Sequence, residues 1–189
     1  CPVLIVPAMN DRMWAHPQTT LNAAHLREIG YEVIEPATGP LAFDEGEGPG
    51  RMPEPEAIAA HVERALRAGS SLAGKRIVVT AGSTREAIDP VRFISNHSSG
   101  RMGVAIARAA WARGADVTLI AGSIEVPVPS GVRPVHVSST AEMAAAVNAA
   151  LPDADVLVMA AAPADFRPAE FAGEKIKKAA APASIGLTQ

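Results

Sequence analysis

The chain has 189 residues, 48% of them apolar and 20% charged, with a formal charge of −3 at pH 7. That is enough apolar matter for one sizeable core or parts of two, and it leaves no basic footprint for nucleic acid or an anionic membrane. A single cysteine, Cys1, excludes an internal disulfide framework and a CxxC metal site and fits a reducing cytoplasm; no apolar run is long enough to span a bilayer.

In chain order, residues 3–8 read as a buried strand, 16–29 as a helix, 31–35 as a strand and 54–68 as a helix entered through Pro53, Glu54 and Pro55, which suit a first turn. No methionine precedes Cys1 and nothing precedes the first strand to pair with it, so the chain reads as a piece of something longer. ASIGLTQ at 183–189 also stops inside a strand-like run. A polar, Gly-rich loop, TGPLAFDEGEGPGRMPEP, fills 38–55. AGSSLAG at 68–74 is a linker, dividing a domain over 1–68 from one over 75–189, with 69–74 between them.

The second domain opens with KRIVVTAG at 75–82, a strand, and continues with a helix over 100–113 and strands at 115–122 and 132–138. A helix over 140–150, with Ser139 and Glu142 spaced as a capping box, leads to a last strand at 154–162. Strands separated by helices predict a parallel, doubly wound sheet. Ligands of such sheets sit outside the carboxyl ends of the strands, where residues 80–100, 121–129 and 160–168 should converge. The dinucleotide fingerprint GxGxxG is absent. Gly100 and Gly103 supply only GxxG, which counts against a standard nicotinamide site. The run RFISNHSSGRMG at 92–103 leaves two readings open: a loop whose Ser and Asn side chains cap the helix, or an anion site at that helix N-terminus.

STREAIDPVRFISNHSSGRMG at 83–103, with ADFRP at 164–168 and EKIKK at 174–178, resembles phosphopantothenate-cysteine ligases. Upstream, PAMNDRMW at 7–14 and GPGRMPEP at 48–55 resemble the C-terminal part of phosphopantothenoylcysteine decarboxylases, which many bacteria fuse to the ligase in that order. The resemblance implies a cytoplasmic enzyme of coenzyme A biosynthesis with two doubly wound, Rossmann-like parallel-sheet domains, both incomplete in this chain. CTP with Mg2+ would activate the carboxylate of 4′-phosphopantothenate as an acyl-cytidylate, and cysteine would capture it as an amide. The product would then be decarboxylated with FMN to 4′-phosphopantetheine. It also implies a homo-oligomer, dimeric through the ligase half and larger through the flavin half, with no nucleic acid or membrane partner.

By that resemblance Asn96 holds the acyl-cytidylate, with Ser98, Ser99 and the helix N-terminus as anion donors. Lys175 neutralises phosphates, Lys177 and Lys178 less so, against the bland reading of a solvated charge run. Asp165 serves the nucleotide or a bound magnesium, or is a turn residue; no metal ligand set follows from the sequence. The small Ala160, Ala161 and Ala162 let backbone approach a ligand. His97 reads as a structural hydrogen-bonder rather than a base. Asp89, Pro90 and Arg92 read as turn chemistry, or Arg92 meets the pantothenate phosphate. In the first domain Asn10, at a strand end, binds the substrate carboxylate, with Met13 and Trp14 shaping the pocket or filling the core. The family's catalytic His and most flavin contacts fall upstream of residue 1. Where many relatives carry a proton-donating flap cysteine this chain has Phe43, so Asp44, Glu45 or water replaces it or that activity is weakened. Two other classes stand: an NAD(P)-dependent reductase using Glu125 for the ribose, and a non-catalytic nucleotide-binding fragment.

Overall fold

The computed structural model describes residues 1–42, 45–67, 69–177 and 184–189, so Phe43, Asp44 and Lys178 lie outside the described residues. The chain divides into two compact units, Cys1–Ala68 and Gly69–Gln189. Among the described residues no helix is long and apolar enough to cross a membrane.

The first unit runs β1 (Leu4–Ile5), α1 (Asp11–Trp14), α2 (Pro17–Glu28), β2 (Glu32–Val33), β3 (Ala37–Pro40), β4 (Glu47–Arg51) and α3 (Pro55–Leu66). Its parallel sheet is a single pair, with Leu4 against Glu32 and Ile5 against Val33. The strand expected over 3–8 is therefore much shorter. Pro7 has no N–H to give a ladder, and β2 offers partners to two residues only. His16 caps α2 by accepting the Gln18 N–H on Nδ1 at 3.1 Å, and Pro55 at the first position of α3 needs no donor there. The Gly-rich stretch is not a loop throughout: β3 and β4 pair antiparallel, Gly39 opposite Gly48. Sequence pattern missed them because EGPGR has no β-branched or aromatic residue to mark a strand.

The second unit contains β5 (Arg76–Ala81), β6 (Arg85–Ala87), β7 (Phe93–Ser95), α4 (Arg101–Ala112), β8 (Asp116–Ala121), β9 (Arg133–His136), α5 (Thr140–Ala150), β10 (Val156–Met159), β11 (Arg167–Pro168) and β12 (Leu187–Thr188). Four parallel strands form its sheet in the order β10-β5-β8-β9. RIVVTA and DVTLIA are buried at every residue after the first. They read as unbroken apolar runs because helices cover both faces. Val78 and Ile120 pack with Met143 and Val147 of α5, while Ala81, pointing the opposite way, meets the first turn of α4. The unit is thus a doubly wound α/β fold. Ser139 caps α5 by accepting the Glu142 N–H at 3.2 Å, but Glu142 Oε2 reaches back to the Ser138 N–H at 2.7 Å, one residue earlier than in a regular capping box. Two antiparallel pairs, β6–β7 and β11–β12, follow β5 and β10 respectively in chain order.

Candidate functional site

Three glycines shape the carboxyl end of β5. Gly82 has φ +81°, and a Cβ there would lie 2.3 Å from the Ser123 carbonyl oxygen. Gly100, with φ +72°, is the N-cap of α4, and its Cβ would lie 2.5 Å from Ile124 Cγ2. At Gly103 the added carbon would be 2.6 Å from Ala81 Cβ and 2.7 Å from the Thr80 carbonyl. One glycine thus makes the turn after the strand and one lets helix and strand touch, as two of the three glycines of the dinucleotide fingerprint do, while the middle one opens the helix packed against Ile124. A linear motif search misses the arrangement because residues 83–99, carrying β6 and β7, separate the first glycine from the other two.

The first turn of α4 has no side-chain cap. Ser98 Oγ accepts only the Gly100 N–H, at 3.3 Å, and Ser99 uses its carbonyl to hold the Glu125 N–H at 3.0 Å. The capped-loop reading of RFISNHSSGRMG is therefore not what forms. A twelve-residue helix instead presents open N–H groups and its positive end outside the strand ends.

Buried hydroxyls stitch the neighbouring loops together. Thr80 Oγ1, fully buried, accepts the Ala160 and Ala161 N–H groups at 3.1 and 3.2 Å. Thr84 Oγ1 accepts the Ala164 N–H at 2.8 Å and lies 2.9 Å from Thr140 Oγ1, which in turn lies 2.9 Å from Glu86 Oε1. A carboxylate only accepts, so the protons run one way: Ala164 N–H to Thr84, Thr84 O–H to Thr140, Thr140 O–H to Glu86. Glu86, 7% exposed, also takes the Thr140 N–H at the start of α5 at 2.8 Å. Asn96 Nδ2 donates to the Pro163 carbonyl at 2.8 Å, closing the loop from the other side. Asn96, Ser98, Ala160 and Ala161 thus lie on the loops at one end of the sheet. Sequence reasoning passed over Thr80, Thr84, Glu86 and Thr140; TAGSTRE was the available signal, short polar residues directly after a buried strand.

Other expected residues are less engaged. Asp165, Lys175 and His97 are exposed, and none of them forms a hydrogen bond or ion pair among the described residues. No group of three His, Cys, Asp or Glu side chains able to hold a metal occurs among the described residues. Arg92 is occupied: Nη1 lies 3.3 Å from Asp89 Oδ2 and Nη2 donates to the Ile176 carbonyl at 3.1 Å. Burial pushes the Asp89 carboxyl up, but N–H bonds from Val91, Arg92 and Ile176 and the Arg92 guanidinium outweigh it and hold it below the usual carboxylate value. A cavity of about 470 Å³ lined by Arg76, Asp116, Arg133 and Asp153 lies at the amino ends of the strands, away from these loops.

In the first unit Asn10 is the N-cap of α1, not a strand end; its Oδ1 accepts the Arg12 N–H at 2.9 Å. That bond fixes the amide with Nδ2 left to donate. β4 lies against this turn, because Met9 N–H donates to the Gly50 carbonyl at 2.9 Å. A Cβ at Gly50 would sit 2.1 Å from the Met9 oxygen, and one at Gly48 2.9 Å from Asp11 Cβ, so GPG is required by close approach. Met13 is 59% exposed and so is not core; Trp14 is half-buried.

A doubly wound sheet whose glycine turn and open helix N-terminus share one end places the second unit in the Rossmann-like class of α/β proteins. Within that class, the chain belongs to the DNA/pantothenate metabolism flavoprotein C-terminal domain family, whose model matches residues 72–189; residues 1–67 match the model described as Flavoprotein. Coenzyme A biosynthesis bifunctional protein CoaBC of Mycobacterium tuberculosis (strain ATCC 25618 / H37Rv) is 55% identical over 183 residues, covering 94% of this chain and 44% of the relative. The protein of that name from Mycolicibacterium smegmatis is 51% identical over 195 residues, covering 100% and 47%. The chain thus spans about half the length of the curated relatives it matches. A crystal structure of the C-terminal domain of Coenzyme A biosynthesis bifunctional protein CoaBC is similar over 64% of this chain and 56% of its own, at 41% identity and a TM-score of 0.55.

Proposed function

We propose that the chain works in coenzyme A biosynthesis, its second unit in CTP-dependent ligation of cysteine to 4′-phosphopantothenate and its first in decarboxylation of the product. The observation that carries the reading is the uncapped N-terminus of α4 beside Asn96 and the 160–165 loop. A carboxylate is a poor electrophile. Its oxygen attacks the α-phosphorus of CTP, pyrophosphate leaves, and the amine of cysteine then attacks the acyl carbon, losing a proton as CMP departs. Negative charge grows on phosphate and acyl oxygens in both steps, where preset N–H donors and a cation are most effective. The amides of α4 and the Ser98 and Ser99 loop serve the anion, Asn96 the acyl-cytidylate, and Lys175 the phosphates. The backbone at Ala160 and Ala161, pinned by Thr80, leaves room for the nucleotide, and Asp165 is the oxygen ligand available to a magnesium carried on it.

In the first unit, Asn10 Nδ2 is directed to the carboxylate that is lost, with β4 as the flap over it. Bound FMN would supply reversible two-electron chemistry there: electrons taken up before CO2 is lost would be returned afterwards, because the net decarboxylation is redox-neutral. Phe43, which stands in sequence where many relatives carry the flap cysteine, lies outside the described residues. Homo-oligomerisation belongs to the same reading.

Melting of the protein with CTP and Mg2+ tests it against the reductase reading. A ligand at about 100 times its Kd stabilises the folded state by about 2.7 kcal/mol. Stabilisation by CTP and not by NADPH is expected; the reverse result would favour the alternative, a reductase using Glu125, over the ligase.

A further inference from the structure

Asp89 does more than close its own turn. It is 2% exposed. Oδ1 accepts the Val91 and Arg92 N–H groups, both at 2.8 Å, which is the usual work of a turn aspartate. Oδ2, which such a residue leaves to solvent, instead accepts the Ile176 N–H at 3.2 Å, while Arg92 donates to the Ile176 carbonyl. Both backbone polar groups of one residue are thereby taken by one ion pair from the distant β6–β7 turn. A second tether joins Ala172 N–H to the Ile88 carbonyl at 3.0 Å. Ile176 is half-buried, whereas Lys175 and Lys177 on either side are exposed. The clamp therefore holds the backbone and leaves the ammonium groups free. Between Pro168 and Leu187 no helix or strand is assigned among the described residues, so residues 172–177 have no ladder of their own to fix them.

We propose that Asp89 is a positioning residue for the ligation: it latches the segment bearing Lys175 to the β6–β7 turn, so that the ammonium is held at the nucleotide end of the sheet before CTP binds. The inference rests on the reading of Lys175 as the phosphate-neutralising cation. Prepaid ordering of the backbone is lost from the cost of binding, and a cation misplaced by about 1 Å can cost on the order of 10²-fold in rate. Asparagine at position 89 keeps an oxygen for Val91 and Arg92, but turns an N–H donor toward the Ile176 N–H and removes the charge facing Arg92.

The test compares Asp89→Asn, Lys175→Gln and the double variant in the intact protein, reading ligase kcat/KM for CTP and amide hydrogen exchange of residues 172–177. Asp89→Asn is expected to lower kcat/KM by about 10-fold or more, to abolish protection at Ile176, and to have almost no further effect once Lys175 is Gln, because a latch matters only through what it holds. Equal losses in both backgrounds, or unchanged exchange at 172–177, would overturn the latch. If Lys175→Gln alone is harmless, the reading of Lys175 fails, and exchange still decides the contact. Should Asp89→Asn unfold the second unit, Ile176→Pro removes the N–H that reaches Asp89, with Ile176→Ala as the control for the lost side chain, and the pair is judged by the same kinetics and by exchange of the neighbouring amides.

Discussion

Gly103→Ala probes the link between fold and site most directly. The new Cβ would stand 2.6 Å from Ala81 Cβ, 2.7 Å from the Thr80 carbonyl oxygen and 3.1 Å from Ala81 Cα, all on a buried strand that cannot turn aside. Normal carbon contacts begin near 3.5 Å, so the first turn of α4 must move outward by about 1 Å. Overpacking of this kind costs about 1–3 kcal/mol, and the better helix propensity of Ala returns up to about 1 kcal/mol. A net loss of about 1–2 kcal/mol lowers the melting temperature of the second unit by roughly 4–8 °C. The same shift carries the open N–H groups away from the phosphates, and CTP affinity measured by titration calorimetry should fall by about 10-fold or more. A lower melting temperature with unchanged CTP affinity would remove the α4 N-terminus from the nucleotide site. If neither changed, the close approach of helix and strand would itself be wrong.

Three further outcomes are expected. Asn96→Asp sets a carboxylate against growing negative charge, so amide formation with CTP, phosphopantothenate and cysteine should fail while the protein stays folded; undiminished product by chromatography would take Asn96 out of the reaction. Lys175→Gln should lower ligase kcat/KM by about 10²-fold, and Lys178→Gln far less, at unchanged melting temperatures; equal small effects would make KIKK a solvated run. The depressed carboxyls of Asp89 and Asp155 contribute stability that is present above the unfolded value near pH 4 and lost as pH falls through their lower folded values. Acid melting of the second unit should therefore steepen below about pH 4, and Asp89→Asn should flatten it in part; an identical pH profile for the variant would contradict the assignment.

The strands of the second unit were legible because RIVVTA and DVTLIA are long apolar runs that fit only a sheet covered on both faces, and α4 and α5 because their caps and glycines punctuate the pattern. The strands that pattern did not mark are β3, β4, β6, β7 and β11: short, glycine-bearing or polar pieces whose ladders depend on what they lie against. β4 is extended because Gly48 and Gly50 press on Asp11 and Met9, a reason written in another part of the chain.

The candidate site divides along the same line. The order of elements and the types of residue at the strand ends follow from the sequence, since hydrophobic period and turn chemistry act locally. Whether Ser98 and Ser99 cap α4 or leave it open was settled by Gly100 taking the N-cap in a left-handed conformation, with Ile124 and Gly82 packed where a side chain would be. The glycine arrangement around β5 and α4 exists only in three dimensions, because residues 83–99 separate Gly82 from Gly100 and Gly103. Likewise the run from Ala164 through Thr84 and Thr140 to Glu86, and the hold of Asp89 on Ile176, join residues distant in sequence. Local sequence determines which segments can be strand or helix; only tertiary packing decides which buried hydrogen-bonding groups meet, because each must find its partner wherever the fold brings one within about 3 Å.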